Sequence, residues 1–145
     1  MRGITLCLIL CLLILGCSAG CLAPLSPPEE LTSHTWRLIS YNNGNELADV
    51  GPLIIITLKF GEDGRMSGNA GCNDYFGTYN TDGGLISVRA VGATEKYCLA
   101  PEGVMDIEKE YFLLLGNTTR YSIDQDEMTL SHYDEKKLLV FRKQS

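Results

Sequence analysis

Cys72 and Cys98 hold the most chemical promise in this chain. They are its only cysteines beyond the N-terminal region, where the other four lie. Two cysteines in an otherwise ordinary domain suggest a pair, and an oxidising compartment would make that pair a disulfide. The rival reading is two reduced, buried thiols. A catalytic thiol lacks support, because no histidine or basic cluster stands nearby in sequence to lower its pKa.

Other chemistries find less. His34 and His132 are far apart and lack the spacing of a zinc site, so they read as solvated or locally satisfied. Asp124, Asp126 and Glu127 form an acidic cluster without the positional pattern of a calcium loop, and a turn is the better reading. No Ser/His/Asp order or paired-carboxylate motif is present, although spacing leaves open an acidic pair brought together by folding. The glycines from Gly68 to Gly71 lack the Lys-Ser/Thr and the helix of a phosphate loop. The sequence therefore offers no catalytic residue, no metal ligand set and no cofactor site. Asn117-Thr118-Thr119 matches the glycan-acceptor pattern, which makes Asn117 a candidate modification site.

Across the whole chain 12 basic residues stand against 18 acidic ones, and the net charge of −6 argues against nucleic-acid binding. No basic stripe is available to displace counterions from phosphates. An acidic exterior reads first as solubility. The apolar fraction of 45% is that of a globular chain rather than a disordered one.

The N-terminus reads as an export segment. Arg2 precedes an apolar run from Ile4 to Leu15, shorter than the roughly 20 residues of a membrane span. Residues 1–16 are taken as a signal peptide. Two boxes then resemble lipoprotein processing sites, ending at Cys17 and at Cys21. Cys17 has the better apolar residue upstream and is preferred; Cys21, with its Ala-Gly pair, is the alternative. An uncleaved anchor reaching to about Leu25 is the third reading. Each places the domain outside the cytoplasm on a membrane tether. Residues 17–32 combine the tether cysteine with a Pro-rich spacer, in which Pro24, Pro27 and Pro28 resist helix and central strand.

Residues 33–143 read as the folded domain. Trp36–Tyr41 is a strand candidate, followed by a turn at Asn42–Asn45. Ile54, Ile56, Leu58 and Phe60 alternate with Thr57 and Lys59, the pattern of a half-buried strand. Gly61–Gly64 turns the chain into a hairpin partner, Arg65–Asn69. Tyr75–Tyr79 is a short aromatic strand. Leu85–Val91 alternates, with Ile86, Val88 and Ala90 on one face. Val104, Ile107, Tyr111 and Leu114 follow helical spacing, with Pro101 placed in the first turn and a stop at Gly116-Asn117. Glu102, Asp106, Glu108 and Glu110 suit the N-terminal end of the helix dipole. Arg120–Ile123, Glu127–His132 and Lys136–Arg142 complete the strands. The expected class is mainly β (α+β): a small antiparallel meander or barrel-like sheet of about eight strands with one helix packed on it.

Between two of these strands lies Ser67-Gly68-Asn69-Ala70-Gly71-Cys72-Asn73-Asp74-Tyr75-Phe76-Gly77. Asn69 and Asn73 can bond their own backbone in a turn. Gly68, Gly71, Cys72, Asn73, Tyr75 and Gly77, followed by Thr94 and Cys98, resemble the signature of the META, or HslJ-like, domain. The resemblance runs from about Trp36 to Phe141. It implies a small, β-rich, exported or envelope domain with Trp36 in its core, and in some relatives a role in envelope stress, drug tolerance or secretion.

The functional expectation is a non-enzymatic, membrane-anchored protein of the cell envelope, with its domain on the extracytoplasmic side. Its partners would be the membrane, through the N-terminal lipid or anchor, and an envelope protein; a monomer is expected. One alternative is a small-molecule-binding barrel lined by Tyr75, Tyr79, Tyr111 and Tyr121. Another is an inhibitor of an envelope hydrolase acting through an exposed loop at Asn42–Asp49.

Overall fold

A computed structural model describes residues 26–144. The signal segment, Cys17, Cys21 and the start of the spacer lie outside the described residues. Eleven elements follow one another: α1 Glu29–Thr32, β1 Thr35–Asn42, β2 Leu47–Asp49, β3 Thr57–Phe60, β4 Arg65–Asn69, β5 Asp74–Asp82, β6 Leu85–Ala93, α2 Val104–Gly116, β7 Arg120–Asp124, β8 Glu127–Ser131 and β9 Lys137–Lys143.

All nine strands belong to one antiparallel sheet in the order β2-β1-β3-β4-β5-β6-β7-β8-β9, and β1 also pairs with β9. That last pairing bends the meander into a ring, which removes most exposed strand edges. The alternation in the sequence sets the inside of the ring. Ile54, Ile56, Leu58 and Phe60 are all buried, although the strand itself begins only at Thr57 and Ile56 joins it through a bridge to Ala70. Trp36, Leu38, Met128, Leu130, Leu139 and Phe141 complete the wall of the core from β1, β8 and β9.

The ring is uneven. β5 and β6 are registered from Tyr75↔Ala93 to Asp82↔Leu85. β6 meets β7 at a single register pair, Leu85↔Arg120, flanked by bonds from Ile86 N to Thr119 O and from Tyr121 N to Gly84 O. The connection between these two strands contains α2. Its Val104, Tyr111, Leu114 and Leu115 join the same core cluster as the inward strand residues. The helix therefore supplies core where the ladder is thin, and β-strands alone do not close the barrel.

Several expectations shift. The domain begins before residue 33: α1 carries Leu31, which is fully buried, and the Trp36 indole N–H donates to the Leu31 carbonyl at 3.0 Å. The segment read as a loop from Asn42 to Asp49 is a hairpin, with β2 as a ninth strand. Pro101 lies ahead of the helix in a turn closed by Val104 N to Pro101 O, and Gly103 is the N-cap. The Ile86, Val88, Ala90 face holds only at its start. The register slips opposite Gly77, and Ala90 there has φ 51° and is exposed. A bulge of this kind throws alternation out of phase.

Candidate functional site

The motif residues converge where the β4–β5 turn meets the segment after β6 and the first half of α2. Cys72 and Cys98 form a disulfide, with Cα atoms 5.9 Å apart. Asn73, beside it, is buried, and every polar position of its side chain is used. Its Oδ1 accepts from Thr94 Oγ1 and from Lys96 N, each at 2.7 Å. Its Nδ2 donates to Lys96 O at 3.0 Å and to Glu108 Oε1 at 2.7 Å. The backbone of Lys96 offers one donor and one acceptor, so the orientation of the amide is fixed by its neighbours. Asn73 was expected to bond its own turn; it bonds across to two other segments instead. Asn69 does what was expected, its Oδ1 accepting from Gly71 N at 2.9 Å.

Glu108 is the acceptor at the centre. Its Oε2 receives Asn73 N at 2.7 Å and Cys72 N at 3.2 Å, while Oε1 receives the Asn73 amide. The residue is 6% exposed. A buried carboxylate is tolerable here because three donors surround it. The sequence reading placed Glu108 with the other acids of the helix start and missed this role. A signal was present: Glu108 stands four residues after Val104 and three before Tyr111, on the buried stripe itself.

Tyr75 ties the same region to β3. Its Oη donates to Thr57 O at 2.8 Å and lies 2.6 Å from Tyr111 Oη. Tyr75 has one hydroxyl proton, so Tyr111 must donate to Tyr75. Burial pushes the Tyr75 hydroxyl pKa well up. The Tyr111 hydroxyl is likewise raised well above its ordinary value, by burial first and then by Tyr75 beside it. Neither is a base at neutral pH. Tyr79, pushed up to about 12 chiefly by burial, donates to Gly61 O at 2.6 Å. Tyr121 is half-buried, its pKa raised by burial and then by Glu30. The four tyrosines thus do not line a common pocket: three are committed to internal bonds.

The glycines make the approach possible. A Cβ on Gly68 would collide with the Thr57 carbonyl that Tyr75 binds. Gly71 has φ +105° and sits against Val104 and Ile54, so a side chain there would be strained and crowded. Gly77 faces Met66 and the Arg89 carbonyl at the bulge.

The remaining candidates stay apart. His34 packs edge-on against Trp36, and His132 pairs with Asp134 at 3.4 Å in the turn before β9. Asp124, Asp126 and Glu127 flank the β7–β8 turn, where Asp126 meets Lys143 at 3.7 Å. No group of three or more metal-ligating side chains occurs among the described residues. Asn117 is exposed, as a glycan acceptor would need, while the Thr119 hydroxyl two residues on is buried without a partner. Among the described residues no helix is long and apolar enough to cross a membrane.

A small antiparallel barrel, completed by one helix and clasped by a disulfide and a buried Asn–Glu pair, is the class this geometry defines. The model of the META domain family matches residues 29–145, and the chain belongs to that family. No curated protein matches it. Solved structures with the same fold include an NMR structure of a protein from Burkholderia xenovorans. That protein is 24% identical, with a TM-score of 0.66 over 81% of this chain and 86% of that one. A second NMR structure is 22% identical, with a TM-score of 0.58 over 80% of this chain and 93% of that one. The crystal structure of a DUF4847 family protein from Bacteroides vulgatus is 20% identical, with a TM-score of 0.56 over 81% and 99%. At these identities the likeness concerns the fold alone.

Proposed function

We propose that this chain is a non-enzymatic META-family module held on a membrane at the extracytoplasmic side, where it serves a structural, stress-related or protein-contact role. One observation carries the reading: the motif residues are consumed in holding the fold. Asn73 has no free polar position, Cys72 is bonded to Cys98, and Tyr75 is bonded on both sides. The disulfide suits an oxidising compartment, and the Pro-rich stretch before α1 suits a tether. The test is capture from intact envelopes by the chain with Cys17 and Cys21 present or replaced by serine. A cross-linked envelope partner that depends on the tether supports the proposal; cytosolic fractionation without a partner rejects it. Intact mass of the membrane-extracted protein identifies the acylated cysteine and any glycan on Asn117.

A ligand inside the barrel is disfavoured, because Trp36, Tyr111, Phe60 and Phe141 fill the centre with no exposure. The hydrolase-inhibitor reading has one observation in its favour. The β1–β2 turn is held rigid, with Asn42 Oδ1 accepting from Gly44 N and Asn43 Oδ1 accepting from Asn45 N and Glu46 N. A panel of cell-wall hydrolases assayed with the purified chain decides it; no inhibition ends that reading.

A further inference from the structure

On the outer face of the β1–β9 seam, two arginines stand directly opposite one another. Arg37 and Arg142 are register partners, and the residues beside them, Trp36 and Phe141, fill the core. Alternation therefore sends both guanidinium stems outward. Facing side chains in such a pair start about 5 Å apart, and like charges at that spacing repel. Carboxylates are not scarce in this acidic chain, yet neither guanidinium takes part in a salt bridge among the described residues. Glu127 is the register partner of Arg142 on β8 but lies outside ion-pair distance, and Asp126 is engaged by Lys143. Both arginines open into one surface groove of ≈ 540 Å³, which Ile39, Pro52 and the Asp126-paired Lys143 also line and to whose rim Asp49 contributes a single carboxylate. Val50 N donates to Ile39 O at 3.2 Å, so the apolar side of the groove is fixed to β1.

We propose that Arg37 and Arg142 form a binding site for an oxyanion carried on a short apolar body, the two guanidinium groups sharing the oxyanion and the Ile39–Pro52 side receiving the body. Guanidinium forks match planar and tetrahedral oxyanions and are weakly hydrated, so a pair of them gains from a shared anion what it loses by mutual repulsion. The site goes beyond the proposed function: it lies on the opposite side of β1 from the core and uses no motif residue.

The experiment is a titration of the full chain in detergent with inorganic phosphate, hexyl phosphate and hexanoate, read from the arginine Nε–H resonances and from the thermal midpoint. Saturable binding is expected, tighter for at least one of the two alkyl-bearing probes than for inorganic phosphate. Preference for hexyl phosphate assigns a phosphate monoester, and preference for hexanoate assigns a carboxylate; either supports the site. R37Q and R142Q should each weaken binding by about tenfold or more, and the probe should no longer raise their thermal midpoints. R89Q, exposed on β6 and four strands away from β1, should leave affinity unchanged within about twofold. Absence of saturation by all three probes, or equal loss in R89Q and R142Q, overturns the proposal.

Discussion

The barrel has two seams that close it in different ways. At β1–β9 the backbone does the work: five register pairs run from Trp36↔Lys143 to Tyr41↔Leu139, interrupted once. At β6–β7 the ladder reduces to Leu85↔Arg120, and the connecting segment takes over with α2 and its clasp. A ladder repeats one bond many times, so losing a single side chain costs it little. The clasp concentrates its bonds in Asn73, Glu108 and one disulfide, so each member matters. Cys72, Asn73, Thr94 and Cys98 of the family motif build this clasp, whereas Gly68 and Tyr75 secure β4 and β5 against Thr57 of β3.

The comparison breaks most visibly at Asn73. Asn73→Ala removes four hydrogen bonds and leaves the buried Glu108 carboxylate and the part-buried backbone of Lys96 short of partners; a loss of about 4 kcal/mol is expected in urea unfolding. A loss below about 1 kcal/mol would mean that the clasp does not hold the seam. Replacing both cysteines by serine opens a loop with a sequence separation of 26, and the chain-entropy relation gives ~3.5 kcal/mol. Reduction of the native protein should reproduce that loss, and the serine pair should then be insensitive to reductant. Glu108→Gln tests whether the acceptor must be a carboxylate. Three donors converge on it, and an amide would turn N–H against one of them, so about 2 kcal/mol should be lost. In all three variants the amides of α2 should exchange faster, while those paired across β1–β9 should keep their protection relative to global unfolding.

The separate strands, turns and helix were largely legible in the sequence, whereas the pairings that close the two seams were not. The alternation Ile54, Ile56, Leu58, Phe60, the hairpin turn at Gly61–Gly64 and the helix stop at Gly116-Asn117 are local signals with local outcomes. The cysteine pair could be read because few candidates existed. Closure of β1 on β9 could only be surmised, since it joins residues about a hundred positions apart and no local period encodes it. Glu108 went unread because an acid early in a helix has an ordinary explanation in the dipole, and only its place on the buried stripe spoke otherwise. Leu31 was lost to the prolines before it, which describe a spacer well until the chain turns into α1. Ala90 failed for a different reason: an extra residue in β6 opposite Gly77 reverses the faces, and alternation cannot announce where it will stop.

Smaller changes sharpen the contrast. Tyr111→Phe deletes one buried donor to Tyr75 and leaves the Tyr75–Thr57 bond in place; about 1 kcal/mol should be lost. The least change is expected at Lys96, which serves the clasp through its backbone and solvent through its side chain. Its N and O bond Asn73, while Nζ meets Asp74 at 3.3 Å on the exposed surface. The Asp74 carboxyl is held below the usual carboxylate range, first by the Asn69 amide at 2.9 Å and then by Lys96. A lowered folded-state pKa contributes stability above the unfolded pKa and loses it as pH falls through the lowered value, so any effect is confined to the acid limb. Lys96→Met should raise the Asp74 pKa part of the way, because Asn69 remains, and should leave stability at neutral pH unchanged. A carboxyl-carbon titration by NMR reads the first outcome and urea unfolding the second. If Lys96→Met weakened the fold as Asn73→Ala does, the seam would depend on exposed charge, and the buried clasp would not be what separates it from β1–β9.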